Sequence, residues 1–393
     1  RDYGVGAQIL RELGVNKEYL KKRNRGLVLQ LIATGKCSSR IELAKELHLT
    51  KTAISAIVNE LIDQQYLKET AVTTKAKLGR TPIKLEVSPK APKYLGILFG
   101  RGCLEAAICS LDLKIVAYER VERDWENGAE MMNVAFCLID RLLEREEKII
   151  AIGVATPGPV DVKKGRIINP GHFHEIRNLD VTEPIEKRYG IPVFLDHDIQ
   201  SAALVEQLYG NGRDYQDVLV LGIEEGVGSG IMVGGHRYQS NSGYPPEMGH
   251  VSINHHGRKC VCGNIGCLEA YIGSGAVEEK IEAAFGRHID YHEFCQMEDP
   301  EADRIMQEVI NDLSCAIISM QNIMNFEIIL LGMDSIYWQE KYLKRLEDII
   351  NERKFANKKV RTLVKKVKFM EKMPVLGAVC NAVSKTFEGE MLE

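Results

Sequence analysis

The sequence predicts an α/β chain in two parts, a small winged helix-turn-helix followed by a two-lobed α/β body. Three observations carry that expectation. The first ninety residues hold helical patterns and then two strand patterns, with 17 Lys+Arg against 9 Asp+Glu. From Tyr94 onward, runs of strands give way to helices twice over, the pattern of two α/β units with a cleft between them. Between Gly243 and Glu269 lies the densest chemistry, GYPPEMGHVSINHHGRKCVCGNIGCLE.

In the first part, Arg25 to Thr34 reads as a short amphipathic helix, with Leu27, Val28, Leu31 and Ile32 on one side. Ser39-Arg40-Ile41-Glu42 matches a capping box and predicts a second helix that turns Leu43, Ala44 and Leu47 inward. Thr50 is expected to cap a third helix running to about Gln64, with Ile54, Ile57, Val58 and Leu61 at helical spacing. The opposite face of that helix shows Lys51, Thr52, Ser55 and Asn59. Helix, short turn, helix is the plan in which the second helix meets base edges in the major groove; the alternative is a solvated face on a small bundle. Tyr66–Val72 and Ile83–Val87 then read as two strands of a wing whose tip carries Lys75, Lys77 and Arg80. The expected base contacts are Thr50, Lys51, Thr52 and Ser55, and the expected backbone contacts Arg40, Lys75 and Arg80. Ser88-Pro89-Lys90-Ala91-Pro92 reads as the boundary.

Charge supports the division. The remainder of the chain holds 34 Lys+Arg against 46 Asp+Glu, so a basic module precedes an acidic body, and a polyanion partner is expected for the first part only. No apolar run approaches the ~20 residues of a membrane span. No secretory signal pattern opens the chain. Seven of the ten cysteines are scattered in mostly apolar settings, which suits reduced thiols and a cytoplasmic location.

In the body, Tyr94–Phe99, Cys103–Ser110 and Ile115–Val121 read as successive antiparallel strands. Met131–Leu143 reads as a helix, Ile149–Ala155 and Val193–Leu195 as strands, and Ile199–Leu208 as a helix. A second set, Val218–Ile223 and Gly230–Val233, precedes two helix-rich stretches and the strand Ile328–Leu331. Gly153 to Pro159 follows a strand and places backbone groups near a ligand. Gly226-Val-Gly228-Ser-Gly230 either cradles phosphate or forms a tight hairpin. Asp198, at a strand end, suits a base or hydroxyl acceptor, or simply a helix cap.

Cys260, Cys262 and Cys267 fall within eight positions, and His250 sits ten residues upstream. Three thiolates and an imidazole suffice for a closed, structural zinc site; the alternatives are a disulfide or ordinary buried thiols. Glu247 and Glu269 bracket the cluster, so whatever fixes it fixes two carboxylates with it.

Glu247-Met-Gly-His250 and Cys260-Val-Cys-Gly-Asn-Ile-Gly-Cys267-Leu-Glu269 are similar to the E-x-G-H and C-x-C-G-x-x-G-C-L-E motifs of the ROK family (repressors, open reading frames and sugar kinases). With the N-terminal winged helix, Asn24-Arg25 and Gly79-Arg80-Thr81-Pro82, the chain resembles the repressor branch, of the N-acetylglucosamine and xylose repressor type, from about Asn24 to Phe387. The resemblance implies an actin/hexokinase-like fold. Its expected domains are a head at 15–90, a smaller lobe at 91–196 plus about 373–393, and a larger lobe at 197–372. It implies a sugar or sugar phosphate held by His197, Asp198, Glu247, His250 and Glu269 with the Gly158 turn beneath, and Zn²⁺ held by His250, Cys260, Cys262 and Cys267.

The same resemblance exposes departures. The family's first phosphate loop, D-x-G-G-T, falls on Leu98-Phe99-Gly100-Arg101-Gly102, the Thr expected before the second glycines is Glu225, and the late glycine pair reads Gly332-Met333. Three losses at the nucleotide end imply sensing without phosphorylation. The expected partners are operator DNA, a sugar and further copies of the chain, as a homodimer or tetramer. An ATP-dependent sugar kinase carrying a DNA-binding head, and control by a protein partner such as a sugar-transport component, remain as alternatives.

Overall fold

Helix α1 (Lys17–Ala33) begins well before the apolar spacing indicates, because Asn16 caps it by accepting the Tyr19 amide at 2.8 Å. The computed structural model describes residues 16–71, 83–146, 148–170, 173, 176–238, 244–355 and 358–392. Helix α2 (Arg40–Glu46) is capped by Ser39, which accepts from the Glu42 amide. The reciprocal half of the box slips by one residue, since the Glu42 carboxylate accepts from the Ser38 amide and hydroxyl. Those bonds, the Ser38 amide foremost, hold Glu42 below the usual carboxylate range. Helix α3 (Lys51–Asp63) starts at the Thr50 cap and buries Ile54, Val58 and Leu61, while Ile57 is only half-buried. Strands β1 (Leu67–Ala71) and β2 (Ile83–Val87) pair antiparallel, Leu67 opposite Val87, as the stem of the wing. Its expected tip, with Lys75, Lys77 and Arg80, lies outside the described residues.

The body opens with β3 (Lys93–Phe99), β4 (Cys103–Cys109) and β5 (Ile115–Glu122), an antiparallel meander. Helix α4 (Gly128–Leu143) leads to β6 (Ile149–Thr156). The short strands β7 (Val160–Asp161), β8 (Arg166–Ile167) and β9 (Leu179–Asp180) form a separate small sheet. Helix α5 (Thr182–Tyr189) precedes β10 (Val193–His197), and β6 and β10 extend the main sheet in parallel to β3. The resulting order is β10-β6-β3-β4-β5.

Helix α6 (Asp198–Tyr209) crosses into a second unit, where β11 (Val218–Ile223), β12 (Val227–Val233) and β13 (His236–Arg237) form another meander. There follow α7 (Glu269–Ile272), α8 (Ser274–Phe285), α9 (Tyr291–Gln296) and α10 (Pro300–Met324). Then come β14 (Ile328–Met333), α11 (Glu340–Arg353) and β15 (Leu363–Lys366), with β14 and β15 parallel to β11. The order β13-β12-β11-β14-β15 repeats that of the first sheet. Two copies of one topology therefore face each other.

Of the two readings of Gly226 to Gly230, the tight hairpin holds and the open phosphate loop does not, because Gly228 and Gly230 belong to β12, paired antiparallel with β11. A Cβ on Gly230 would stand 2.4 Å from the Ile199 carbonyl oxygen, so the glycines let α6 lie close on the sheet.

Helix α12 (Met373–Phe387) is buried along nearly its whole length, as an all-round apolar helix must be. It lies on β3 and β6 and against α6. Its far end also seats α1: a Cβ on Gly26 would approach the Phe387 carbonyl oxygen to 2.2 Å, and Arg23 donates to that oxygen at 3.4 Å. Arg213 donates to Thr34 O at 3.2 Å, and the Ser88–Pro92 boundary is pinned by Lys93 Nζ on the Pro89 and Ala91 carbonyls. The head is thus packed on the body, and one apolar core runs through both. No helix among the described residues is long and apolar enough to cross a membrane.

Candidate functional site

A cavity of about 560 Å³ opens between the two sheets. All six residues expected to hold a sugar line it: Gly158, His197, Asp198, Glu247, His250 and Glu269. They arrive from several elements, with Glu247 and His250 at the two ends of one 3-10 turn, Met248–His250. His197 ends β10 and caps α6, and Asp198 is the first residue of that helix. Asp198 is therefore not the cap itself, although its Oδ1 accepts from the Ile199 amide at 2.6 Å. Its other oxygen has no partner among the described residues.

The His197 ring rests on the Gly158 turn, where a Cβ would come within 2.3 Å of Cδ2. Its Nδ1 lies 3.3 Å from Asp198 Oδ1 without hydrogen-bond geometry, and it is a buried polar atom with no partner among the described residues. Glu247 enters between residues pinned by Ser229, whose hydroxyl donates to Pro246 O at 2.7 Å and accepts from Met248 N at 3.2 Å. Glu269 begins α7, and its Oε2 accepts from the Val227 amide at 3.0 Å.

The four expected metal donors also converge. The ligating atoms of His250, Cys260, Cys262 and Cys267 all lie within 4.8 Å of one another. Cys262 and Cys267 Sγ are 3.7 Å apart, and Cys260 Sγ is 3.6 Å from His250 Nδ1. A tetrahedral site with ordinary Zn–S and Zn–N bonds has S···S edges of about 3.8 Å and S···N edges of about 3.6 Å. The donor set and spacing therefore fit zinc. They do not fit the disulfide alternative, and all ten cysteines are free.

The nucleotide end of the cleft is where the departures gather. Leu98 and Met333 line an adjoining cavity of about 370 Å³, together with Arg101, Asp198 and Glu224. Met333 keeps a backbone that suits glycine, φ 57° and ψ −138°, while carrying a side chain. Glu224 and Glu225 stand on the β11–β12 turn and line the larger cavity. Stripping of water by the cleft walls, reinforced by Asp334, Asp198 and Glu225, raises Glu224 above its ordinary range, although the side chain stays half exposed. Sequence reasoning did not assign Arg101 or Asn169 to the sugar wall, yet both line this cavity. Asn169 sits in irregular backbone with no motif around it, while Arg101 was visible only as a departure.

On the head, Lys51 and Thr52 are exposed and Ser55 half-buried on one face of α3, which also shows Ala56. Thr50 Oγ1 is occupied as a cap, accepting from Ala53 N at 3.2 Å. Arg40 is committed within the head: it pairs with Glu69 on β1 and donates to Asn59 Oδ1 at 2.8 Å. Lys75 and Arg80 lie outside the described residues.

The family model described as "ROK family" matches residues 94–384. The chain belongs to the ROK family. Among ROK relatives, the xylose repressor of Caldicellulosiruptor bescii is 24% identical over 390 residues, covering 94% of this chain and 97% of its own. The Escherichia coli regulators Mlc and NagC are 28% and 29% identical, each across about two thirds of this chain. A crystal structure of a ROK family transcriptional regulator, a homolog of E. coli Mlc, matches with TM-score 0.81 at 26% identity over 95% of this chain and 98% of that one. The ROK hexokinase of Thermus thermophilus matches with TM-score 0.65 at 25% identity, covering 75% of this chain and 98% of its own. The hexokinase match leaves out about a quarter of this chain; the regulator match nearly spans it.

Proposed function

We propose that this chain is a sugar-responsive transcriptional regulator, a repressor of carbohydrate-utilisation genes that binds operator DNA through its head. The observation that carries the reading is the contrast within one cleft. All six residues expected to hold a sugar line the cleft, while Leu98, Glu225 and Met333 stand where the family's nucleotide motifs fall. A carboxylate about 4 Å from a phosphate charge costs up to about 4 kcal/mol at an effective dielectric near 20, less once cleft water screens it. The repressor names of the full-length relatives support the same reading.

In this reading, Asp198, Glu247 and Glu269 accept sugar hydroxyls in fixed directions, and a wrong epimer leaves buried acceptors unmet. His250, Cys260, Cys262 and Cys267 would hold Zn²⁺, which would serve as a structural cross-link. With Nδ1 turned to the sulfurs, His250 keeps Nε2 for the cleft. Lys51, Thr52 and Ser55 meet base edges, Thr50 shapes the helix start, and Lys75 and Arg80 serve phosphates. A homodimer presents two heads to half-sites about one DNA turn, or a multiple, apart. Ligand alters operator affinity only through a difference in affinity between lobe arrangements.

The test is a titration of sugars into an operator-bound sample, followed by fluorescence anisotropy, beside a coupled ATP-consumption assay with the same sugars. A sugar that shifts operator affinity without ATP turnover supports the proposal. Substantial turnover would make the chain a kinase carrying a DNA-binding head.

A further inference from the structure

We infer that the ligand of the cleft carries no phosphate or carboxylate, and is an uncharged sugar or an amino sugar. The inference rests on the sugar-binding reading above and narrows its ligand class. The larger cavity is walled by five carboxylates, Asp198, Glu224, Glu225, Glu247 and Glu269. Against them stands one permanent cation among the described lining residues, Arg101, and its Nη1 lies 3.9 Å from Glu224.

The adjoining cavity adds Glu105, Asp334 and Glu371 and only one further cation, Arg120. That guanidinium is engaged by Glu105 and Glu122, each at 2.8 Å. Among the described lining residues a phosphate therefore finds no surplus positive charge in either cavity.

The two helix N-termini at the cleft offer no substitute. Helix N-termini ordinarily bind anions through free amides and the positive end of the helix dipole. The α6 N-terminus already holds the Asp198 carboxylate on Ile199 N, and α7 begins with the Glu269 carboxylate, itself bonded to Val227 N. Both ends are compensated by the protein. Hydroxyl and ammonium groups, by contrast, donate to such a wall, and unlike charge lowers the energy of an ammonium.

The test is isothermal titration of the full chain with paired ligands: pentoses, hexoses and amino sugars, each beside its phosphate ester, with inorganic phosphate as a control. A free sugar that binds at least about thirtyfold more tightly than its ester bears the inference out. An ester that binds equally or better overturns it while upholding the sugar-binding reading. Failure of every sugar and ester to bind sinks both. In the Glu224→Gln/Glu225→Gln double variant the ratio of the two Kd values should fall at least about fivefold; an unchanged ratio counts against the charge argument.

Discussion

Arg237 on β13 of the second lobe grips the carboxylate of Asp196 on β10 of the first. Asp196 Oδ1 in turn accepts the His197 amide at 2.8 Å, and Arg237 also reaches Asn381 Oδ1 on α12 at 3.2 Å. A charge pair between the two sheets thus bonds to the backbone of His197, a residue that lines the cleft. Asp196 is 5% exposed, so removing its partner strands a buried carboxylate. Arg237→Ala should lower unfolding free energy by about 3–5 kcal/mol and weaken ligand binding. Adding Asp196→Asn should restore part of the stability. Denaturant titration beside calorimetric ligand binding checks both; an unaltered unfolding midpoint would contradict the pairing.

Gly158 is needed because the His197 ring occupies the space of its missing side chain. Gly158→Ala should push the imidazole out of the wall and weaken sugar binding at least about tenfold. The thermal midpoint should move far less, because the residue is only half-buried at a cleft edge. Ligand titration with a melting curve separates the two effects.

Metal analysis of the purified chain should find one Zn²⁺ per protomer, lost on chelation or in Cys262→Ser. Structural zinc contributes directly to folding free energy. Loss should therefore lower the melting temperature and blunt the ligand response, because His250, Glu247 and Glu269 lose their common anchor. Full ligand response from zinc-free protein would remove the anchoring role.

Met333→Gly should cost little. A side chain in this backbone region is strained by about 1–3 kcal/mol, which offsets the entropy lost by introducing glycine. Unfolding free energy should change by less than about 1 kcal/mol, against about 2–5 kcal/mol lost in Leu331→Ala, a fully buried side chain on the same strand. Paired denaturant curves make the comparison.

The parts legible in the sequence were those where short spacing brings chemistry together. Four metal donors and two wall carboxylates sit in one stretch from Glu247 to Glu269, and His197 and Asp198 sit at a strand end that reads as such. The capping residues Ser39 and Thr50 marked their helices because a side chain acts within three residues. What stayed hidden depends on partners far along the chain. The first turns of α1 carry no apolar rhythm, so their start was missed. The choice between phosphate cradle and hairpin at Gly226 to Gly230 stayed open because nothing local reports the helix that packs on Gly228 and Gly230. Nothing local marks the need for glycine at Gly26 either, since the space it leaves is taken by the backbone of Phe387. Arg101 and Asn169 reach the cleft from irregular backbone whose direction no periodicity encodes.

The buried last helix has a kinetic consequence. Tyr94 and Thr386 share a hydrogen bond at 2.7 Å across 292 positions, and α12 covers the sheet laid down by β3 and β6. During synthesis, the first lobe must wait with an uncovered apolar face until residues 373–387 leave the ribosome. The head must wait as well, since α1 docks on that same helix. Contacts of such high sequence separation slow folding and prolong exposure to aggregation. A nascent chain stalled before α12 should therefore hold chaperones longer than the finished one.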